Sequence, residues 1–139
     1  MILEKIEVTK LNQFSLEAGD VYHVLKKNED SFSNFGEAYF STIKPNYIKG
    51  WKKHLLMKMN LVVPIGTVKF VFYDDVKKNF REEIIGVSNY CRITVPSNIW
   101  FAFQCLSNQK AIILNISDIL FDSNEPINCE LSKFEYNWN

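Results

Sequence analysis

The chain has 139 residues, 47% hydrophobic and 14% aromatic, with eleven phenylalanines and a formal net charge of zero. That length and apolar content support a single domain with its own core and exclude a disordered chain. The zero net charge, with Arg81 and Arg92 as the only arginines, argues against a nucleic-acid partner and limits any phosphate site to a small one.

From the N-terminus, MILEKIEVTKLNQF lacks the basic-then-apolar layout of a signal peptide. Short strands are predicted over residues 5–11, 20–26, 36–43, 58–63, 67–73, 83–87, 90–95, 102–106 and 111–116. TVKFVFY (67–73) is β-branched and aromatic almost throughout, as a buried or half-buried strand should be. Asp74 and Asp75 end it in a turn, and Pro64 with Gly66 marks the turn before it. Phe40, Phe70, Phe72 and Phe103 are expected in the core. One helical turn is expected within 74–83 and another within 131–139. No segment holds a 3.6-residue period over ten residues, so the pattern is that of an all-β sandwich or barrel. Cys91, Cys105 and Cys129, an odd set without CxxC spacing, read as reduced thiols in a cytoplasmic protein. No apolar run approaches the roughly 18 residues of a membrane span, so no membrane partner is expected. Sheet edges need cover, and pairing of N-terminal strands between two subunits is one way to supply it, so a homodimer is expected.

The stretch IKGWKKH (48–54) gathers a tryptophan, three lysines and one of the two histidines around a glycine. It belongs to a longer pattern. YFSTIKPNYIKGWKKHLLMKMNLVVPIGTVKFVFYDD, then ITVPSNIWFAFQCLSN, then AIILNISDILFD, resembles the cupins related to dTDP-4-dehydrorhamnose 3,5-epimerase, over roughly residues 36–126. The resemblance implies an all-β cupin jelly-roll barrel (a double-stranded β-helix) filling residues 1–139 as one domain, usually a homodimer. It also implies a nucleotide-linked 4-keto sugar as partner, and isomerase chemistry in making deoxysugars of surface polysaccharides. In that family a histidine base removes the proton beside the ketone, a tyrosine returns one on the other face, and a lysine steadies the enolate. A base needs a pKa near the working pH, and the enolate oxygen needs a positive or donating neighbour.

The family's R-G-x-H segment falls on Lys49-Gly50-Trp51-Lys52, its H-G-F segment on Phe101-Ala102-Phe103, and its catalytic tyrosine on Leu114. A lysine at position 52 is an ammonium unless burial lowers its pKa. The related sugar-nucleotide 3,4-ketoisomerases carry H-x-H where this chain has Lys52-Lys53-His54, so His54 matches their second histidine. Two residues apart on a strand, Lys52 and His54 share a face. They are the catalytic candidates. Metal cupins place His, His, Glu and His where this chain has Lys52, His54, Met59 and Phe101. One ligand of four builds no metal centre, so no metal and no other cofactor is expected.

Lys49, Tyr39, Tyr73 and Trp51 are the substrate-binding candidates. Each has a structural alternative. Lys49 and Lys52 are ligands or solvated strand-end charges, Trp51 and Trp100 stack on sugar or pack, and Tyr39 and Tyr73 face into the cup or away from it. His23 belongs to no motif and is read as structural. Two functions compete: a nucleotide-sugar epimerase or ketoisomerase, and a cupin that binds or assembles sugar nucleotides after losing the catalytic histidine and tyrosine.

Overall fold

Twelve strands and two short 3-10 turns (Leu3–Lys5 and Leu131–Lys133) carry the regular structure of residues 2–139, which the computed structural model describes. Near the N-terminus come β1 (Glu7–Lys10) and a two-stranded ribbon of β2 (Gln13–Phe14) and β3 (Val21–Tyr22). Next are β4 (Glu37–Ile43), β5 (Ile48–His54), β6 (Met59–Ile65) and β7 (Thr67–Asp74). Then come β8 (Asn79–Gly86), β9 (Cys91–Val95), β10 (Trp100–Cys105), β11 (Ala111–Ser117) and β12 (Pro126–Asn128).

Two five-stranded antiparallel sheets result, ordered β1-β9-β6-β11-β4 and β12-β5-β10-β7-β8. Consecutive strands repeatedly land in different sheets, which is how a jelly roll is wound. The expected all-β jelly roll is therefore the observed fold. The inner faces of both sheets form one core that includes Ile43, Met59, Leu61, Phe70, Phe72, Ile93, Phe101 and Ile113. Period-two alternation explains the membership. On β7, Val68, Phe70 and Phe72 point inward, whereas Val71 and Tyr73 join a second cluster on the outer face. A strand buried on both faces reads as a continuous apolar run, which is why TVKFVFY lacks polar alternation.

The second cluster depends on the C-terminal segment. Phe134, Tyr136 and Trp138 lie across the outer face of the β5-β10-β7-β8 sheet, against Trp51, Tyr73, Trp100 and Phe80. Lys69 lies over the Tyr136 and Trp138 rings at 5.2 and 5.4 Å. The outer face of the other sheet is partly covered by the chain before β4. There the fully buried Arg92 reaches Val24 O, Glu29 and Ser31.

Several expectations are corrected. The expected helical turn in 74–83 is a tight turn: Asp74 Oδ1 accepts Val76 N and Lys77 N, and β8 starts at Asn79. The expected strand at 20–26 is only two residues long. Phe40 is 69% exposed, because β4 is an edge strand whose odd residues face inward. The C-terminus holds one short 3-10 turn, Leu131–Lys133, and the rest runs extended as the strap.

Candidate active site

β5 forms one wall of the open end of the barrel, and a register shift decides which of its side chains reach the cup. Strict alternation would put Lys49 on the opposite face from Lys52. The pairing with β10 instead runs Phe103↔Lys49, Ala102↔Gly50, then Phe101↔Lys52, so Trp51 is an extra residue. This bulge resets the phase. Lys49, Lys52 and His54 all line the cup, together with Phe101 and Phe103. Gly50 faces Ala102 on the outer side. A Cβ at Gly50 would sit 2.3 Å from Ala102 Cβ, and its φ of +150° is one that side chains rarely adopt. Gly50→Ala is expected to cost at least about 2 kcal/mol in urea unfolding, from overlap and backbone strain together. A loss within 0.5 kcal/mol, on the order of an ordinary surface change, would contradict the bulge's dependence on glycine.

His54 is 7% exposed and stacks on Phe101 at 5.9 Å between ring centroids. Its Nδ1 lies 2.6 Å from Glu125 Oε1. The other carboxylate oxygen of Glu125 accepts Leu56 N at 2.8 Å and Met57 N at 3.2 Å. Burial pushes the Glu125 carboxyl up, but the hydrogen bonds from Leu56 N, His54 and Met57 N outweigh it, and the group stays below its ordinary value. In the neutral imidazole the ionised carboxylate selects the tautomer with the proton on Nδ1 and the lone pair on Nε2. Nε2 has no hydrogen-bond partner among the described residues.

The lowered Glu125 value sets a pH dependence. Its folded form resists protonation more than the unfolded chain does, so the contribution is full above the ordinary value of 4.5 and lost as pH falls through the lower folded value. On acidification below about pH 4.5, the wild type is expected to lose thermal stability faster than Glu125→Gln. Parallel curves for the two proteins would contradict this.

The opposite wall comes from the other sheet. Tyr39 and Ser41 of β4, Met59 and Leu61 of β6, and Ile113 and Asn115 of β11 close the cup. Tyr39 Oη accepts Asn115 Nδ2 at 2.9 Å. At the rim, Lys49 Nζ donates to Thr42 O at 2.6 Å, joining β5 to β4. The cup is a cavity of about 280 Å³.

No family model matches the chain. The spore coat polysaccharide biosynthesis protein SpsL of Bacillus subtilis is 21% identical over 99% of this chain and 97% of that protein. A dTDP sugar isomerase from Desulfovibrio desulfuricans superposes with a TM-score of 0.91 at 29% identity, covering 97% of this chain and 91% of that one. A sugar 3,4-ketoisomerase from Thermoanaerobacterium thermosaccharolyticum in complex with TDP superposes at 0.76 and 13% identity, covering 90% and 88%. The Legionella pneumophila 3,5-epimerase in complex with dTDP-4-keto-L-rhamnose gives 0.78 at 14%, covering 91% and 73%. The chain has the fold of the sugar-nucleotide cupins.

Within this cupin, the predicted site residues divide. His54, Lys52, Lys49 and Tyr39 come together in the cup. Tyr73 does not line it, and Trp51 borders it but packs its indole in the outer-face cluster. Tyr73 belongs to the outer-face cluster, with Phe134 at 4.3 Å and Phe80 at 4.5 Å between ring centroids. Trp51 is 1% exposed in the same cluster, and its Nε1 donates to Leu131 O at 3.0 Å. Both are therefore packing residues, placed there by alternation on β7 and by the bulge on β5. Leu114 pairs with the exposed Phe40 and points outward, so Asn115 occupies the cup at that level. Lys53 is also outside, 5.0 Å from the Trp100 ring. His23 packs on Phe14, away from the cup. No three His, Cys, Asp or Glu side chains gather as a metal-binding group among the described residues. Sequence reasoning missed Glu125, which lies 71 positions from His54 and carries no motif. The only local signal is the turn 122–125 leading into Pro126, a residue suited to starting an edge strand.

Proposed function

We propose that this cupin is an epimerase or ketoisomerase of a nucleotide-linked 4-keto-6-deoxysugar, working by enolisation in the making of deoxysugars or surface polysaccharide. The carrying observation is the Glu125–His54 pair, a buried carboxylate that orients an imidazole whose other nitrogen is free at the cup. In this reading His54 Nε2 takes the proton from the carbon beside the ketone. The C–H electron pair becomes the enolate double bond, and the charge moves onto the former carbonyl oxygen. Lys52, two residues away on the same face, supplies the positive neighbour. Tyr39 stands on the opposite sheet and offers its hydroxyl from the other side of the ring. The volume of the cup is at the low end of small-molecule sites, which span about 300–1,000 Å³, so it takes the sugar ring and leaves the nucleotide outside. In this reading Lys49, whose ammonium bonds Thr42 O beside the cup, meets the diphosphate.

A second reading, a binding module without turnover, is favoured by Phe101 standing in the cup where the resemblance implies a histidine, and by Leu114, where it implies the tyrosine, pointing out of the cup. One experiment separates the two. In D₂O, NMR should show deuterium entering dTDP-4-keto-6-deoxyglucose beside the ketone when the protein is present. Binding without exchange, for that ligand and for other common nucleotide-linked 4-keto sugars, would leave only the second reading.

A further inference from the structure

Three buried side-chain polar atoms lack a hydrogen-bond partner among the described residues: Arg92 Nε, Gln104 Oε1 and Asn115 Oδ1. Buried polar groups are almost always paired, so each calls for a physical reason. Arg92 already makes three bonds through its other two nitrogens and lies away from the cup. Gln104 pairs across the sheet with Lys69, which lies under the C-terminal strap. Of the three residues, only Asn115 lines the cup.

Asn115 is 4% exposed. It sits on β11 between Tyr39 of β4 and Leu61 of β6. Its Nδ2 donates to Tyr39 Oη at 2.9 Å and lies 3.7 Å from Met57 Sδ. The Tyr39 hydroxyl has only Met57 Sδ, at 4.0 Å, to donate to, and a thioether is a weak acceptor. One carboxamide oxygen and one phenolic proton thus stand uncommitted side by side. Neighbouring Leu61 and Ile113 offer them no polar side chain. Exchanging the two amide atoms of Asn115 would leave Nδ2 unpaired instead. A hydroxyl both donates and accepts, so it satisfies either arrangement.

We propose that Asn115, together with Tyr39, forms the subsite that reads a ring hydroxyl of the bound sugar and so fixes the ring's pose against His54. The proposal rests on the nucleotide-sugar reading above. A 4-keto-6-deoxyhexose linked through C1 keeps free hydroxyls only at C2 and C3, so the hydroxyl read is one of those two. A site built around such a hydroxyl discriminates strongly, because an analogue lacking it leaves the buried polar atoms unpaired.

The test is calorimetric titration with dTDP, dTDP-glucose, and dTDP-glucose lacking the 2- or the 3-hydroxyl. The wild type should bind dTDP-glucose at least about tenfold more tightly than dTDP. In Asn115→Leu that preference should fall below about threefold, with the dTDP affinity within about twofold of wild type. On the wild type, one deoxy ligand should lose the same advantage. An Asn115→Leu protein that keeps the full preference overturns the proposal, as does equal binding of both deoxy ligands and dTDP-glucose. Unchanged dTDP binding also reports a folded cup. If Asn115→Leu fails to fold, the deoxy ligands on the wild type decide alone. If the wild type binds neither dTDP nor dTDP-glucose, the nucleotide-sugar reading fails first and takes the subsite with it.

Discussion

Replacing His54 by asparagine is expected to slow deuterium exchange into dTDP-4-keto-6-deoxyglucose by about 10³-fold or more, within the range a positioned general base supplies. The expectation follows from the two ends of the ring. Nδ1 is committed to a carboxylate 2.6 Å away, and that carboxylate is itself held by two backbone N–H groups. The ring therefore cannot turn without breaking a network anchored to the chain at Leu56 and Met57. Asparagine can still meet Glu125 but brings no basic nitrogen to the cup. Lys52→Met should act differently. It leaves the base in place and removes charge near the enolate oxygen, an electrostatic loss of about 10²-fold in turnover. A His54→Asn protein that exchanges as fast as wild type would remove His54 from the chemistry and leave the Glu125 contact as mere packing.

The same network explains how much could be read from residue order. Pairing i with i+2 was enough to place Lys52 and His54 on one face, because nothing irregular lies between them. Lys49 needed the bulge at Trp51 to join them. A bulge is a property of two strands in register, and the β10 partner is about fifty positions away. Tyr39 and Tyr73 looked equivalent, since each lies on a strand of alternating character. The structure separates them by which sheet face the strap covers, and that depends on Phe134 reaching back across the barrel. Phe40 misled for a related reason. Its sequence neighbours resemble a core strand, but β4 is the last strand of its sheet and has only its inner face buried. Glu125 was invisible because a carboxylate in a turn is ordinary until a histidine is folded against it.

Trp51→Ala is expected to destabilise the protein by about 3–5 kcal/mol, as large aromatic truncations in cores do. That is a large share of the roughly 5–15 kcal/mol that holds a domain folded. The indole contacts Tyr73, Phe80, Phe134 and Trp138, with ring centroids 5.5–6.3 Å away, and its N–H is bonded to Leu131 O. The loss should not stay local. β5 has only β10 on one side; its other edge is closed by β12 and by a pair of backbone bonds between Trp51 and Cys129. Glu125 begins the same segment. One stretch of chain thus grips β5 twice, by Glu125 on the cup side and by the aromatic strap behind. Loosening the strap should free Glu125 from His54 and lower exchange along with stability. The coupling can be measured as a cycle between Trp51→Ala and Phe134→Ala in urea unfolding. The rings touch, so the double variant should cost less than the two singles added, by at least about 0.5 kcal/mol. Strict additivity, with full exchange activity in Phe134→Ala, would mean the strap covers the sheet without holding the site.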